Sequence, residues 1–150
     1  MQIDGAEARE ITETRMLFLA LCGGLLLFAG VAFVLVSRGM IEGLAPLTPA
    51  VRSAIVLAVG AGCFVGLKVC RTAYHPPRSA DRAEVVSGFR TRSILGWAIV
   101  DGFGVAGICV GLIFSDPVQV LTLAAIATGG LFLGRPDGTR LDAALRRATE

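Results

Sequence analysis

One carboxylate lies inside a long apolar stretch of this 150-residue chain. Asp101 is the only charged residue within residues 94–114, a few positions from the middle of that stretch. An ionised Asp at the centre of a membrane helix costs about 2.5 to 3.5 kcal/mol. It should therefore be protonated, hydrogen-bonded, or placed where water or a cation reaches it. Either it is a structural anchor that bonds a backbone carbonyl or a hydroxyl such as Thr122 or Thr128, or it handles ions.

Four apolar stretches predict the elements that position Asp101: residues 16–37, 53–67, 94–114 and 118–134. About 20 apolar residues in a helix cross the roughly 30 Å hydrocarbon core of a bilayer. Hydrophobic residues make up 54% of the chain and charged residues 17%, a composition that a soluble domain of this size could hardly bury. We expect an all-α membrane protein, one domain of four transmembrane helices in two hairpins. Ser79 should cap a helix that continues into the third span.

Most of the 14 Lys and Arg residues fall on one side of the predicted bundle. They occupy the N-terminal arm 1–15, the central loop 68–93 and the tail 135–150, whereas the opposite side holds only Arg38 and Arg52. Positive residues in short loops stay in the cytoplasm. The pattern predicts a multi-pass protein of the cell membrane with both termini and the central loop cytoplasmic. The composition favours a bacterial inner membrane.

Glycines recur at helical spacing in the last three predicted spans. In lipid, helices associate through close backbone approach at small residues, because no hydrophobic force drives them together. The glycines expected at helix contacts are Gly62, Gly66, Gly104, Gly107, Gly111, Gly130 and Gly134. They pack either the chain's own bundle or a surface for identical copies or a larger partner. Trp97 and Gly104 lie within about 60° of Asp101 on a helix that turns about 100° per residue.

The segment around Asp101 resembles part of a known family. Residues 98–101 read Ala-Ile-Val-Asp, and the basic Arg90 comes eleven positions before the carboxylate. With the Gly-rich residues 60–66, this pattern resembles the hairpin of the ATP synthase c subunit, the rotor proteolipid, over at most residues 56–115. The resemblance implies that Asp101 cycles between a protonated form in lipid and an ionised form opposite a stator arginine. The family's Arg-Gln-Pro loop is absent, and this chain has an additional helix on each side.

Enzyme motifs are missing from the sequence, which contains no P-loop, no G-x-S-x-G and no H-E-x-x-H. It shows no metal-ligand spacing and implies no cofactor, and a formal net charge of +2 gives nucleic-acid binding no support. Two functions remain. The first is a noncatalytic accessory or scaffold subunit that packs against other membrane-protein subunits in the lipid bilayer. The second is a c-subunit-like proteolipid, a homo-oligomer in which Asp101 titrates with a proton or a cation.

Overall fold

The computed structural model describes residues 5–44, 47–71 and 82–135, and this part of the chain is helical with no β-strand. The helices are α1 at Gly5–Ser37, α2 at Pro49–Arg71, α3 at Arg82–Ile113 and α4 at Pro117–Leu133. Pro49 and Pro117 each begin a helix, where the missing N–H breaks no intrahelical hydrogen bond. The predicted all-α fold class is confirmed.

Three helical segments are long and apolar enough to cross a bilayer: Thr12–Ser37 of α1, Pro49–Arg71 and Ala83–Ile113 of α3. The fourth helix, α4, is apolar but has only 17 residues, which reach about 25 Å of a roughly 30 Å hydrocarbon core. Long apolar helices of this kind indicate a membrane protein. By length and composition three predicted spans are confirmed, while α4 is shorter than a full span.

Helix α3 is continuous from Arg82 through its apolar stretch to Ile113. The predicted extension of the third span towards the central loop is therefore present. The expected cap, Ser79, lies outside the described residues. One helix thus carries both the charged residues around Arg90 and the mid-span Asp101.

Helices α3 and α4 pack together at the centre of the bundle, and α1 and α2 each contact both of them. Within the described residues α1 and α2 do not contact each other. In cross-section the four helices form a diamond whose far corners are α1 and α2. Helices α1 and α2, expected as the first of two hairpins, do not pack against each other in the described chain, whereas α3 and α4 do. Residues 38–48 are long enough to let α2 pass to the far side of the central pair.

Large side chains fill the centre of the diamond. The most deeply buried, none more than 2% exposed, include Leu25, Trp97, Ile108, Leu123 and Leu131. The Phe18 ring of α1 lies 5.3 Å from the Trp97 ring of α3, measured between centroids. Because lipid tails are as apolar as Leu, these contacts stabilise the bundle through dispersion and close fit rather than through exclusion of water.

A turn at one end of the bundle joins α3 to α4. Ser115 has a positive φ of 48°, and the Asp116 N–H donates to the Gly111 carbonyl at 2.9 Å. This bond, across the last turn of α3, is typical of a Schellman motif. The Ser115 hydroxyl donates to the Ile41 carbonyl at 2.8 Å. The loop that follows α1 is therefore held against the end of α3.

Asp116 caps the first turn of α4 and pairs with α2. Its Oδ1 accepts a hydrogen bond from the Gln119 N–H at 3.1 Å, and its Oδ2 lies 2.6 Å from Arg52 Nη2. A carboxylate is favoured here because the first N–H groups of a helix have no intrahelical acceptor. The Asp116 side chain is only 11% exposed, so the ion pair is partly shielded from water.

The opposite end of α4 is closed by donors from two other helices. Trp97 Nε1–H donates to the Gly134 carbonyl at 2.7 Å, and Arg71 Nη2 donates to the Leu133 carbonyl at 3.3 Å. The last carbonyls of a helix have no intrahelical donor, and in hydrocarbon each unsatisfied group costs several kcal/mol. Helices α2 and α3 therefore supply donors that α4 cannot supply itself.

Replacing Trp97 by Phe removes the indole donor and keeps an aromatic ring in the core. We expect Trp97→Phe to lower the free energy of unfolding by about 1 to 3 kcal/mol, because the Gly134 carbonyl loses a buried donor. Unfolding in detergent, followed by circular dichroism, measures the change. The control is Leu95→Ala, because the Leu95 side chain is 54% exposed. A Trp97→Phe variant as stable as the wild type would contradict the role assigned to the indole N–H.

Candidate functional site

Asp101 lies in the middle part of α3, on the side that faces α1. Helices α1 and α3 run parallel, and the contact of Phe18 with Trp97 fixes their relative depth. Four residues further along each helix, Cys22 and Asp101 therefore lie at the same depth. The Asp101 side chain is partly exposed at the edge of this seam.

The hydroxyls considered as anchors for Asp101 do not bond to it. Thr122 Oγ1 donates instead to the Val118 carbonyl at 2.8 Å, and Thr128 Oγ1 is buried without a hydrogen-bond partner in the described chain. Within residues 5–44, 47–71 and 82–135, neither a hydrogen bond nor an ion pair engages the Asp101 carboxylate. Its oxygens are therefore available to a group from outside the bundle.

The seven glycines expected at helix contacts all lie against a neighbouring part of the bundle. A Cβ built on Gly104 would lie 2.5 Å from the Cβ of Ala127, and one on Gly111 would lie 2.7 Å from Val120 Cγ2. We call these seven the inner glycines. The others are Gly62 against Phe103, Gly66 and Gly130 against Val100, Gly107 against Val59, and the looser Gly134, 3.5 Å from Cys70 Sγ.

A second set of helical glycines faces outwards. A Cβ built on any of them would find no heavy atom within 4 Å. Glycine in a helix costs about 1 kcal/mol relative to Ala, and at these positions the bundle gains no closer packing in return. We call this set the outer glycines: Gly23, Gly24, Gly30, Gly60, Gly102 and Gly129.

Sequence reasoning did not predict the polar contacts at the ends of α4. Asp116 directly precedes Pro117, and an Asp followed by Pro is a recognisable signal for a helix N-cap. No comparable signal identifies Arg52 as its partner, because α2 and α4 meet only in the folded bundle. Gln119 was also missed; it is 1% exposed, and its Nε2 has no partner among the described residues.

An apolar groove of about 530 Å³ lies between α1 and α4 on the outside of the bundle. Large side chains such as Leu26, Phe33, Leu121 and Phe132 alternate along it with the outer glycines Gly30 and Gly129. Thr128 is the single polar residue that lines it. We call it the α1–α4 groove. The groove exists because α1 and α4, which are distant in the chain, pack against each other in the folded bundle.

The described residues contain no group of three or more His, Cys, Asp or Glu side chains that could hold a metal ion. Comparison with known proteins finds no family model, no curated protein and no solved structure that matches the chain.

The inner and outer glycines provide a matched pair of substitutions on α3. We expect Gly104→Ala to lower the free energy of unfolding by about 1 to 3 kcal/mol, because its Cβ would overlap Ala127 in a packed core. Gly102→Ala should be neutral or stabilise by up to about 1 kcal/mol, since it improves helix propensity in open space. Unfolding in detergent measures both. Equal effects of the two substitutions would contradict this division of the glycines.

Proposed function

We propose that the protein is a noncatalytic membrane subunit that packs against other membrane helices through the outer face of α1. The observation that carries this proposal is the set of outer glycines. Other glycines, the seven inner ones and Gly96, already lie at the close contacts of the bundle. Glycines that face outwards in apolar helices allow the backbone of another helix to approach closely.

Helix α1 offers the best surface for such an approach. Like α2, it occupies a corner of the diamond and contacts only α3 and α4 among the described helices, and it carries three of the six outer glycines. Ala20 and Gly24 lie four residues apart and both are exposed, the spacing at which small residues allow transmembrane helices to pack closely. Gly23 beside them also faces open space. Leu27, 73% exposed, could then insert between side chains of the partner helix.

The orientation in the membrane is part of the proposal. The helix directions bring Arg15, Arg71, Arg90 and Arg135 to one end of the bundle, which we call the basic end, while Arg52 lies at the other. Basic residues stay on the cytoplasmic side. We therefore place the basic end, with both termini and the central loop, in the cytoplasm, and the protein in the cell membrane of a bacterium.

The combined variant Gly23→Leu and Gly24→Leu tests the proposal. Neither substitution meets an atom of the bundle within 4 Å of its Cβ, but both would keep another helix away from α1. Native mass spectrometry of the complex extracted in mild detergent should show the wild-type chain with its partner subunits and the variant without them. Ala61→Leu, at an exposed position on α2, is the control and should keep the complex. A wild-type chain that is a plain monomer would contradict the proposal.

A second function is favoured by one observation, the availability of Asp101. A carboxylate at mid-depth that no described residue pairs with has the position required of a group that binds a proton or a cation. The resemblance to the c subunit points in the same direction. On this proposal the chain is a homo-oligomeric proteolipid, and Asp101 is its titrating group.

Substitution of Asp101 separates the two functions. Asp101→Asn keeps a polar group of the same size but cannot carry a proton, so an ion-handling protein should lose all proton or cation flux in reconstituted vesicles. An accessory subunit should keep its complex with this variant, because an amide can still form a hydrogen bond. Asp101→Leu should disrupt the complex of the subunit more than the assembly of the proteolipid. A wild-type chain that forms no homo-oligomer in mild detergent would exclude the second function.

A further inference from the structure

We propose that the α1–α4 groove binds one acyl chain of an anionic phospholipid, whose phosphate is held by Arg15 and Arg135 at the basic end. The groove is apolar and follows α4 from Leu121 to Phe132. Eleven residues of helix correspond to about 16 Å, close to half of the roughly 30 Å hydrocarbon core. The groove therefore has the length of one leaflet of the bilayer.

The groove is open towards the outside of the bundle, where an acyl chain of the surrounding lipid can enter it. Gly30 and Gly129 form part of the walls, and neither has an atom near its Cβ position. These glycines keep the groove open.

Charge places the headgroup at the basic end of the groove. The Phe18 and Phe132 rings meet edge to face there, 6.3 Å apart, and three residues beyond them are Arg15 on α1 and Arg135 after α4. Arg15 and Phe33 are 18 residues apart, five full helical turns, so Arg15 lies on the side of α1 that lines the groove. Both arginines are exposed.

Neighbouring cations of the basic end are engaged elsewhere. Arg9 and Arg90 both pair with Glu13, at 3.1 Å and 3.4 Å, and Arg71 donates to the Leu133 carbonyl. Arg15 and Arg135 have no side-chain hydrogen bond or ion pair in the described chain. Two cations beside an apolar groove are complementary to a phosphate attached to an acyl chain.

The test is native mass spectrometry of the full chain in mild detergent with phosphatidylglycerol or phosphatidylcholine of the same acyl chains. We expect one phosphatidylglycerol to be retained per chain about 25-fold more tightly than phosphatidylcholine. The double variant Arg15→Gln and Arg135→Gln should remove this preference, since each basic residue near an anionic headgroup contributes roughly fivefold. Gly129→Leu should fill the groove and reduce retention of both lipids.

Two controls use matched residues outside the site. Arg38→Gln changes an exposed cation at the opposite end, and Gly102→Leu enlarges an outer glycine on α3; both should retain the lipid as the wild type does. Equal retention of the two lipids by the wild type would overturn the proposal. The proposal would also be overturned if the wild type binds a second copy or another protein that Gly129→Leu releases, because the groove would then hold a helix.

A photoreactive phosphatidylglycerol added to the wild-type chain gives an answer that does not depend on the folding of variants. A reactive group on its acyl chain should crosslink to groove residues such as Leu26 and Ala125. Crosslinks confined to α2 and the outer face of α3 would overturn the assignment. Failure here would leave the helix contact at Gly23 and Gly24 unaffected, because those residues do not line the groove.

Discussion

Helix α4 is too short to leave the hydrocarbon, so the backbone groups at both of its ends need partners within the bundle. The arrangement of the other helices depends on this requirement. Helix α4 has 17 residues, and in a bilayer its first N–H and last carbonyl groups cannot rely on water. Helix α2 solves the problem at both ends, through Arg52 beside the capping Asp116 and through Arg71 on the Leu133 carbonyl. These two arginines are 19 residues apart, about 28 Å along a helix. The part of α2 between these arginines is therefore longer than α4 and reaches both of its ends.

This arrangement explains the diamond. Helix α2 must run beside α4 over its whole length, and α3 must also contact α4 so that Trp97 reaches the Gly134 carbonyl. The inner glycines let these three helices approach closely enough for the side chains to make those bonds. No contact in the described chain requires α1 to meet α2. Helix α1 therefore packs on the other side of the central pair and leaves much of its apolar surface outside.

The sequence predicts what depends on local pattern and misses what depends on tertiary pairing. Apolar runs without interior proline identified all four helices, and the continuity of α3 into the region of Arg82 was also predictable. The seven inner glycines, expected at helix contacts, lie at such contacts, because helix backbones in lipid approach closely only at small residues. The absence of contact between α1 and α2 in the described bundle was not predictable, since neighbours in sequence usually pack together. The pairing of Arg52 with Asp116 joins residues 64 positions apart, beyond any local signal.

Asp101 differs from Asp116, Trp97 and Arg71 in one respect that bears on both proposed functions. All three complete bonds within the bundle, and those bonds lie at the two ends of α4, where the backbone needs partners. Asp101 lies at mid-depth in a continuous helix, whose backbone needs none. The bundle thus derives no capping from this carboxylate, and its cost in lipid must be offset by a proton, a cation, water or a donor from another protein. Its place at the seam with α1, the helix least enclosed by the bundle, gives such a group access.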